Sequence, residues 1–321
     1  MGEAASSPFF PNLSIHLHDV DQLNHAVSGS DLELLQLKAG RFDATLTQAS
    51  LGPFSLDQGT INQPLRASGC LDRQRFGVGI FPEGARATWN GYRVDASQLL
   101  FYAPGRELSG YVSAGYGWTS LVIPPDWVES IAQTAWRSNM LQLRSDCRMI
   151  RPNPSRLADL WHAVAPIALS GQAPAAALEC TDWLTADVRN SLGGALSVLD
   201  VPPVKAVSRT LAHFSTARRA ERHMRERMAE PLCIDDICVA LRVSRRYLEY
   251  AFLDAFGTSP SRYLRLMRLH QVRRRLKSFG DETSVTDEAI RFGFNHLSLF
   301  SLQYKKAFGE NPSITLASGV K

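Results

Sequence analysis

Cysteine is scarce and unpaired in pattern: Cys70, Cys147, Cys180, Cys233 and Cys238 are five in number and form no CxxC. That argues against a disulfide framework and a Cys-based zinc cluster, and it fits a reducing compartment such as the cytoplasm. No run of about 18 apolar residues occurs, as a membrane-crossing helix needs, and no basic segment followed by an apolar one opens the chain. Neither a membrane association nor a secretory leader is therefore expected. Met1-Gly2-Glu3-Ala4-Ala5-Ser6 satisfies a myristoylation pattern, but a loose start is the expected reading. His16, His18 and His25 fall close together without a matching Glu or His downstream. Metal sites need three or four ligands, so no metal and no cofactor is expected.

What is present is a globular composition, 45% hydrophobic and 21% charged, in 321 residues. That length suffices for two domains with separate cores. Charge is divided unevenly between them. Residues 1–205 carry 15 Lys and Arg against 19 Asp and Glu, whereas residues 206–321 carry 20 against 12. A basic module joined to a mildly acidic one is the footprint of a nucleic-acid reader fused to something else.

The basic part contains a repeat. Phe252-Leu253-Asp254-Ala255-Phe256-Gly257-Thr258-Ser259-Pro260 recurs as Tyr304-Lys305-Lys306-Ala307-Phe308-Gly309-Glu310-Asn311-Pro312, offset by 52 residues, with Leu248 matching Phe300. Upstream the offset is 51, aligning Cys238 with Ala289, Arg242 with Gly293 and Val243 with Phe294. A period implies one structural unit used twice. Each copy reads as a short helix, a turn, and a longer helix closed by Gly and Pro. That is a helix-turn-helix, whose second helix can enter a DNA major groove. Over about residues 215–318 the chain resembles the AraC/XylS family of bacterial transcription regulators.

Taken in order, residues 1–30 read as a lead-in of sparse structure. Asp31 to Pro124 is strand-like, with short apolar runs at 32–37, 42–47 and 98–102 between turns, which predicts a sandwich or barrel. The resemblance implies a cupin-like sensor barrel here, similar to that of ethanolamine-operon-type regulators. Trp89, Tyr92, Tyr102 and Trp118 are candidate effector-pocket walls, with Arg75 a cation for an anionic effector. Barrel core for the rings and solvent for the Arg is the alternative. Helical spacing begins at Asp126, and residues 125–200 either pack on the barrel or form a homodimer contact. Val201-Pro202-Pro203 opens a stiff connector over 201–214. The fold class expected is α+β multidomain: β-rich sensor 1–124, helical segment 125–200, connector 201–214, and an all-α reader 215–318 with two helix-turn-helix motifs.

In the reader, Ser215–Ala229 predicts a basic helix, Asp235–Leu241 the first helix of copy one, and Ser244 the cap of its reading helix. Leu248, Phe252 and Phe256 form the core face of that helix. Arg246, Glu249 and Tyr250 occupy the family's base-contact positions, and Arg245 and Ser244 suit phosphate. Arg can pair with guanine, and Glu can accept from cytosine. Pro260 opens a rod to about Lys277 whose arginines divide among packing, phosphate and solvent, with Arg274 assigned to phosphate. In copy two His296, Leu297, Ser298 and Leu302 are assigned to bases, and Gln303 and Lys305 to phosphate. Leu302 can touch a thymine methyl but not hydrogen-bond, so head one is expected to specify more strongly. Three departures from the family pattern stand out: Glu288 in an apolar slot, Cys233 as a cap, and Arg242 at a turn that favours Gly.

The resemblance implies a one-component regulator of promoter DNA, an activator in most members, working with RNA polymerase and governed by a small-molecule effector. Control by a partner protein or by abundance is the alternative. An enzyme carrying this reader would need an acceptor-Cys motif or metal ligands, and neither is visible.

Overall fold

The computed structural model describes residues 13–27, 30–51, 54–135, 147–169, 181–196, 208–279 and 283–319. The N-terminal half opens with β1 (Leu13–Leu17), α1 (Val20–Ala26), β2 (Asp31–Gln36), β3 (Ala44–Leu51) and β4 (Phe54–Ile61). It continues with β5 (Leu65–Cys70), β6 (Phe76–Ile80), β7 (Ala87–Trp89), β8 (Tyr92–Val94), β9 (Leu99–Tyr102), β10 (Glu107–Val112) and β11 (Gly117–Ile123). Then come α2 (Pro125–Ala135), β12 (Cys147–Ile150), α3 (Pro154–Leu169) and α4 (Thr181–Leu196).

The strands form two antiparallel sheets, ordered β1-β3-β4-β11-β6-β9-β12 and β2-β5-β10-β7-β8. Side chains alternate along a strand, and here both directions are used. Leu34, Ala67 and Leu108 point into the sandwich and join Leu46, Leu100 and Tyr116 in one core. On the other side of the larger sheet, Phe76, Phe101 and Leu121 pack with Leu160, Val164 and Leu192 of α3 and α4. The outer side of the smaller sheet faces the C-terminal half: Leu35 and Leu37 belong to the core built by its helices. The smaller sheet is therefore covered on both faces, once by its partner sheet and once by the reader.

The β-rich N-terminal half and the helical C-terminal half match the expected fold class. Three local readings differ. Residues 13–26 are not sparse, because β1 extends the sheet beside β3 and α1 is capped by Asp19, which accepts from the Asp21 N–H at 2.9 Å. β12 returns to pair with β9 inside a stretch read as helical. The connector reading fails from Ser208 on, where helix has already begun; Val201-Pro202-Pro203 lies outside the described residues.

Candidate nucleic-acid interface

The C-terminal half comprises α5 (Ser208–Glu226), α6 (Ile234–Leu241), α7 (Arg245–Phe256), α8 (Pro260–Phe279), α9 (Val285–Arg291), α10 (Leu297–Phe308) and α11 (Pro312–Ala317). In head one, α6 begins at Cys233, whose backbone N–H donates to Asp236 Oδ2 at 2.8 Å. That is the reciprocal half of a capping box: the carboxylate takes up the cap residue's own N–H, whereas a Ser or Thr cap would accept from an N–H of the first turn. α6 ends at Arg242 with φ 55°, the left-handed backbone that its repeat partner Gly293 adopts at φ 81°. For Arg this costs on the order of 1 kcal/mol. Ser244 caps α7, accepting from the Tyr247 N–H at 3.2 Å.

Leu248, Phe252 and Phe256 are buried, as periodicity predicts. Arg245, Arg246 and Tyr250 are exposed at the open side of α7, and Glu249 is half-buried. Arg246 donates to the Tyr250 hydroxyl at 3.3 Å and its guanidinium lies 5.6 Å from that ring. The pair one helical turn apart thus presents a single, partly ordered polar surface. Arg245 pairs with Asp235 across the turn at 3.3 Å, an exposed contact that a phosphate can replace at little cost.

Head two repeats the plan. Phe300 and Tyr304 are buried and Phe308 is half-buried. His296, Leu297, Ser298, Leu302 and Lys305 are exposed, and Gln303 is half-buried. Leu302 is 65% exposed, with Leu299 beside it at 50%. Glu288 neither swings out nor disturbs α9: it is buried, accepting from Arg275 Nε at 2.5 Å and from the Thr283 hydroxyl at 2.8 Å. Burial raises its proton affinity, but these partners outweigh burial and hold the carboxyl below its ordinary range.

α8 joins the heads. Its 20 residues span about 30 Å at 1.5 Å per residue. A cleft of about 480 Å³ lies between the heads, lined by Arg245 of α7, Ser261, Arg265 and Arg268 of α8, and His296 and Gln303 of α10. Both reading helices therefore flank one opening.

The arginines of α8 divide unequally. Arg268 donates to the Glu230 carbonyl at 2.8 Å, and Arg273 contacts Asp19 at 2.7 Å and Glu310 at 3.1 Å. Arg274, assigned to phosphate, instead faces the sensor, 2.7 Å from Glu33 and 3.6 Å from Asp21. In this arrangement it is not available to DNA. Arg265 is exposed in the cleft.

Sequence reasoning missed this clasp between the halves. Asp19 also pairs with Lys277, Asp21 with Lys277 at 3.2 Å, and Glu33 with Arg225. Burial disfavours the Asp19 charge, but Arg273 and Lys277 outweigh it and hold the carboxyl down at about 2. Beside the clasp, Arg66 of β5 reaches Glu221 of α5 at 2.6 Å, and the Tyr263 hydroxyl donates to the same carboxylate. Arg66, between Leu65 and Ala67 in a strand, is the one sequence signal that could have pointed to a second buried face.

The candidate effector residues separate as well. Trp89, Tyr102 and Trp118 line a cavity of about 120 Å³ within the sandwich. Tyr92 and Arg75 do not line it. Arg75 is held by Asp72 at 2.9 Å and lies 3.4 Å from the Ser55 hydroxyl. Among the described residues no group of three or more His, Cys, Asp and Glu could hold a metal ion, and no helix is long and apolar enough to cross a membrane.

A family described as a helix-turn-helix domain matches residues 237–318. The "Probable thc operon regulatory protein" of Rhodococcus erythropolis is 32% identical over 97 residues, which is 30% of this chain and 29% of that protein. The "XylDLEGF operon transcriptional activator" of Pseudomonas putida is 31% identical over 99 residues, 30% of this chain and 31% of that one. The chain thus spans under a third of the length of these curated relatives. Among solved structures, a transcriptional regulator with an AraC-type DNA-binding domain from Chromobacterium violaceum is 32% identical, covering 32% of this chain and 90% of that one, with a TM-score of 0.31. These relatives are transcription regulators by name, and the likeness falls on the duplicated unit. Over residues 237–318 the chain is a helix-turn-helix domain of the AraC/XylS family of transcriptional regulators.

Proposed function

We propose that the chain is a cytoplasmic, one-component activator that binds promoter DNA through both heads and responds to a small molecule held in its N-terminal half. The observation that carries the DNA reading is the pair of exposed reading helices flanking one cleft along the N-terminal half of α8, from Ser261 to Arg268. A rod of about 30 Å, with the heads added, suits two major-groove segments one DNA turn (~34 Å) apart. Arg246, Glu249 and Tyr250 supply the polar base contacts of head one, and His296, Leu297, Ser298 and Leu302 those of head two. Ser244, Arg245, Gln303 and Lys305 take phosphates, which position the protein without choosing sequence. RNA polymerase is the partner an activator requires.

Residues 1–124 form the sensor, and 125–200 brace it. α3 and α4 bury Leu157, Leu160, Val164, Val188 and Leu192 with the larger sheet, which supports a bracing role over a homodimer contact. The reader begins at α5. Its response to a ligand runs through α1 and β2. Leu23 of α1 and Leu32 and Leu34 of β2 wall the cavity, while Asp21 and Glu33 on the same elements grip Arg274. A ligand that shifts these walls favours one arrangement of the halves over another.

The test is fluorescence anisotropy of the full chain on fragments upstream of its own and neighbouring genes. Arg246→Ala should weaken the specific site by about 1–3 kcal/mol and leave non-specific binding alone. Specific binding that survives this change intact contradicts the base-contact assignment.

A further inference from the structure

The sandwich cavity has a built interior. Three of its rings sit opposite a glycine on the neighbouring strand: Trp118 opposite Gly59, Tyr102 opposite Gly77, and Trp89 opposite Gly110. A Cβ on any of these glycines would collide with the ring facing it. The rings can therefore lie flat across the sheets while leaving space between them. That space, about 120 Å³, approaches the roughly 150 Å³ of an apolar protein cavity known to admit benzene.

Among the described residues Asp57 is the one charged side chain on the wall, while Trp89, which also lines it, has its Nε1 buried without a hydrogen-bond partner. Asp57 and Ser120 are cross-strand neighbours, and the Tyr102 hydroxyl lies 2.6 Å from the Ser120 hydroxyl. One oxygen of Asp57 accepts from Gln48 Nε2 at 3.0 Å. Among the described residues every other lining group is apolar, hydroxyl-bearing or aromatic, and no Lys, Arg or His lines the wall. Burial pushes the Asp57 carboxyl up, opposed by the Gln48 hydrogen bond and the Arg75 charge. A carboxylate ligand would meet this acidic corner without a cation to receive it.

We infer that the cavity takes a small aromatic molecule whose polar group donates a hydrogen bond to Asp57, an alcohol, phenol or amine, and that it rejects carboxylates. This rests on the reading of the N-terminal half as a sensor, and it reverses the expectation of an anionic effector received by Arg75. The three rings supply flat apolar walls, and the acidic corner supplies the acceptor that orients the donor. A site built around a hydrogen bond discriminates strongly against a ligand that cannot complete it.

The test is calorimetric titration of the full chain with benzyl alcohol, benzylamine and benzoate, three probes sharing one ring. Both donors should bind saturably, and benzoate should bind at least about tenfold more weakly than either. Asp57→Asn should weaken benzylamine by about tenfold or more while sparing benzyl alcohol. Leu108→Phe, which fills the void from the smaller sheet, should abolish both donors. Benzoate binding as tightly as the donors overturns the inference, as does the absence of saturable binding by any of the three to protein that still binds promoter DNA. Donor binding that never alters promoter occupancy leaves the ligand class standing and removes the sensor reading instead.

Discussion

Arg66 offers the most informative single perturbation, because it is 0% exposed yet lies on a β-strand at the boundary between the two halves. Its guanidinium reaches Glu221 at 2.6 Å, the Ser109 hydroxyl at 2.9 Å and the Gly110 carbonyl at 3.1 Å, and it stacks 4.6 Å from the Phe256 ring centre. Arg66→Met keeps much of the volume and removes the charge. Removing one partner of a buried pair costs roughly 3–5 kcal/mol, because the other charge stays behind without its partner. Here Arg225 remains 3.1 Å from Glu221 and the Tyr263 hydroxyl still donates to it. The lower end, about 3 kcal/mol, is therefore expected. The double variant Arg66→Met, Glu221→Gln removes the stranded charge and should be more stable than Arg66→Met alone. Urea denaturation of the full chain, read as a double-mutant cycle, measures both effects. A loss under about 1 kcal/mol, or a double variant costing the sum of the two singles, refutes the account of this interface.

Three further outcomes follow from particular residues. His270 is buried against the Phe308 ring, with centroids 4.9 Å apart, and burial lowers its pKa to about 4 despite the nearby Asp21 charge. Because the unfolded chain takes up a proton first, this site's stability is complete above about pH 6.5 and falls as pH drops towards 4, by about 3 kcal/mol in all. His270→Gln should flatten that segment of a stability-versus-pH curve, and an unchanged curve refutes the assignment. Gly77→Ala drives a methyl into the Tyr102 ring; a melting curve should show a loss of about 1–3 kcal/mol, whereas a neutral change would mean the ring has room to move. Arg245→Ala should reduce the salt slope of DNA binding by about one phosphate contact and weaken all sequences alike. A sequence-selective loss would move Arg245 to the base-contacting set.

The reader was largely legible in the sequence because its rules are local. Leu248, Phe252 and Phe256 recur every four residues, Ser244 precedes a helix, and Gly257 and Pro260 close one. The 51-residue offset even paired Arg242 with Gly293, the two residues that share the left-handed turn. Glu288 stands out of place in the sequence pattern, and its partner Arg275 lies close in the chain. The clasp was not legible, since Asp19 and Arg273 meet across 254 positions and nothing in either neighbourhood announces the other. Arg274 reads from sequence as a phosphate ligand because an arginine on a basic helix looks the same whether its partner is DNA or a distant carboxylate. The cavity was half legible: aromatic residues clustered along the later strands, but which of them share an interior depends on strand pairing, which places Trp118 across from Gly59 and leaves Arg75 with Asp72.

Hydroxyl-radical footprinting of the full chain on its promoter tests most directly whether two heads on one rigid helix read adjacent turns of the same DNA face. Two protected patches centred about one helical turn (~34 Å) apart on one face of the duplex are predicted, with Arg246→Ala weakening the first. A single patch, or two on opposite faces of the duplex, contradicts it.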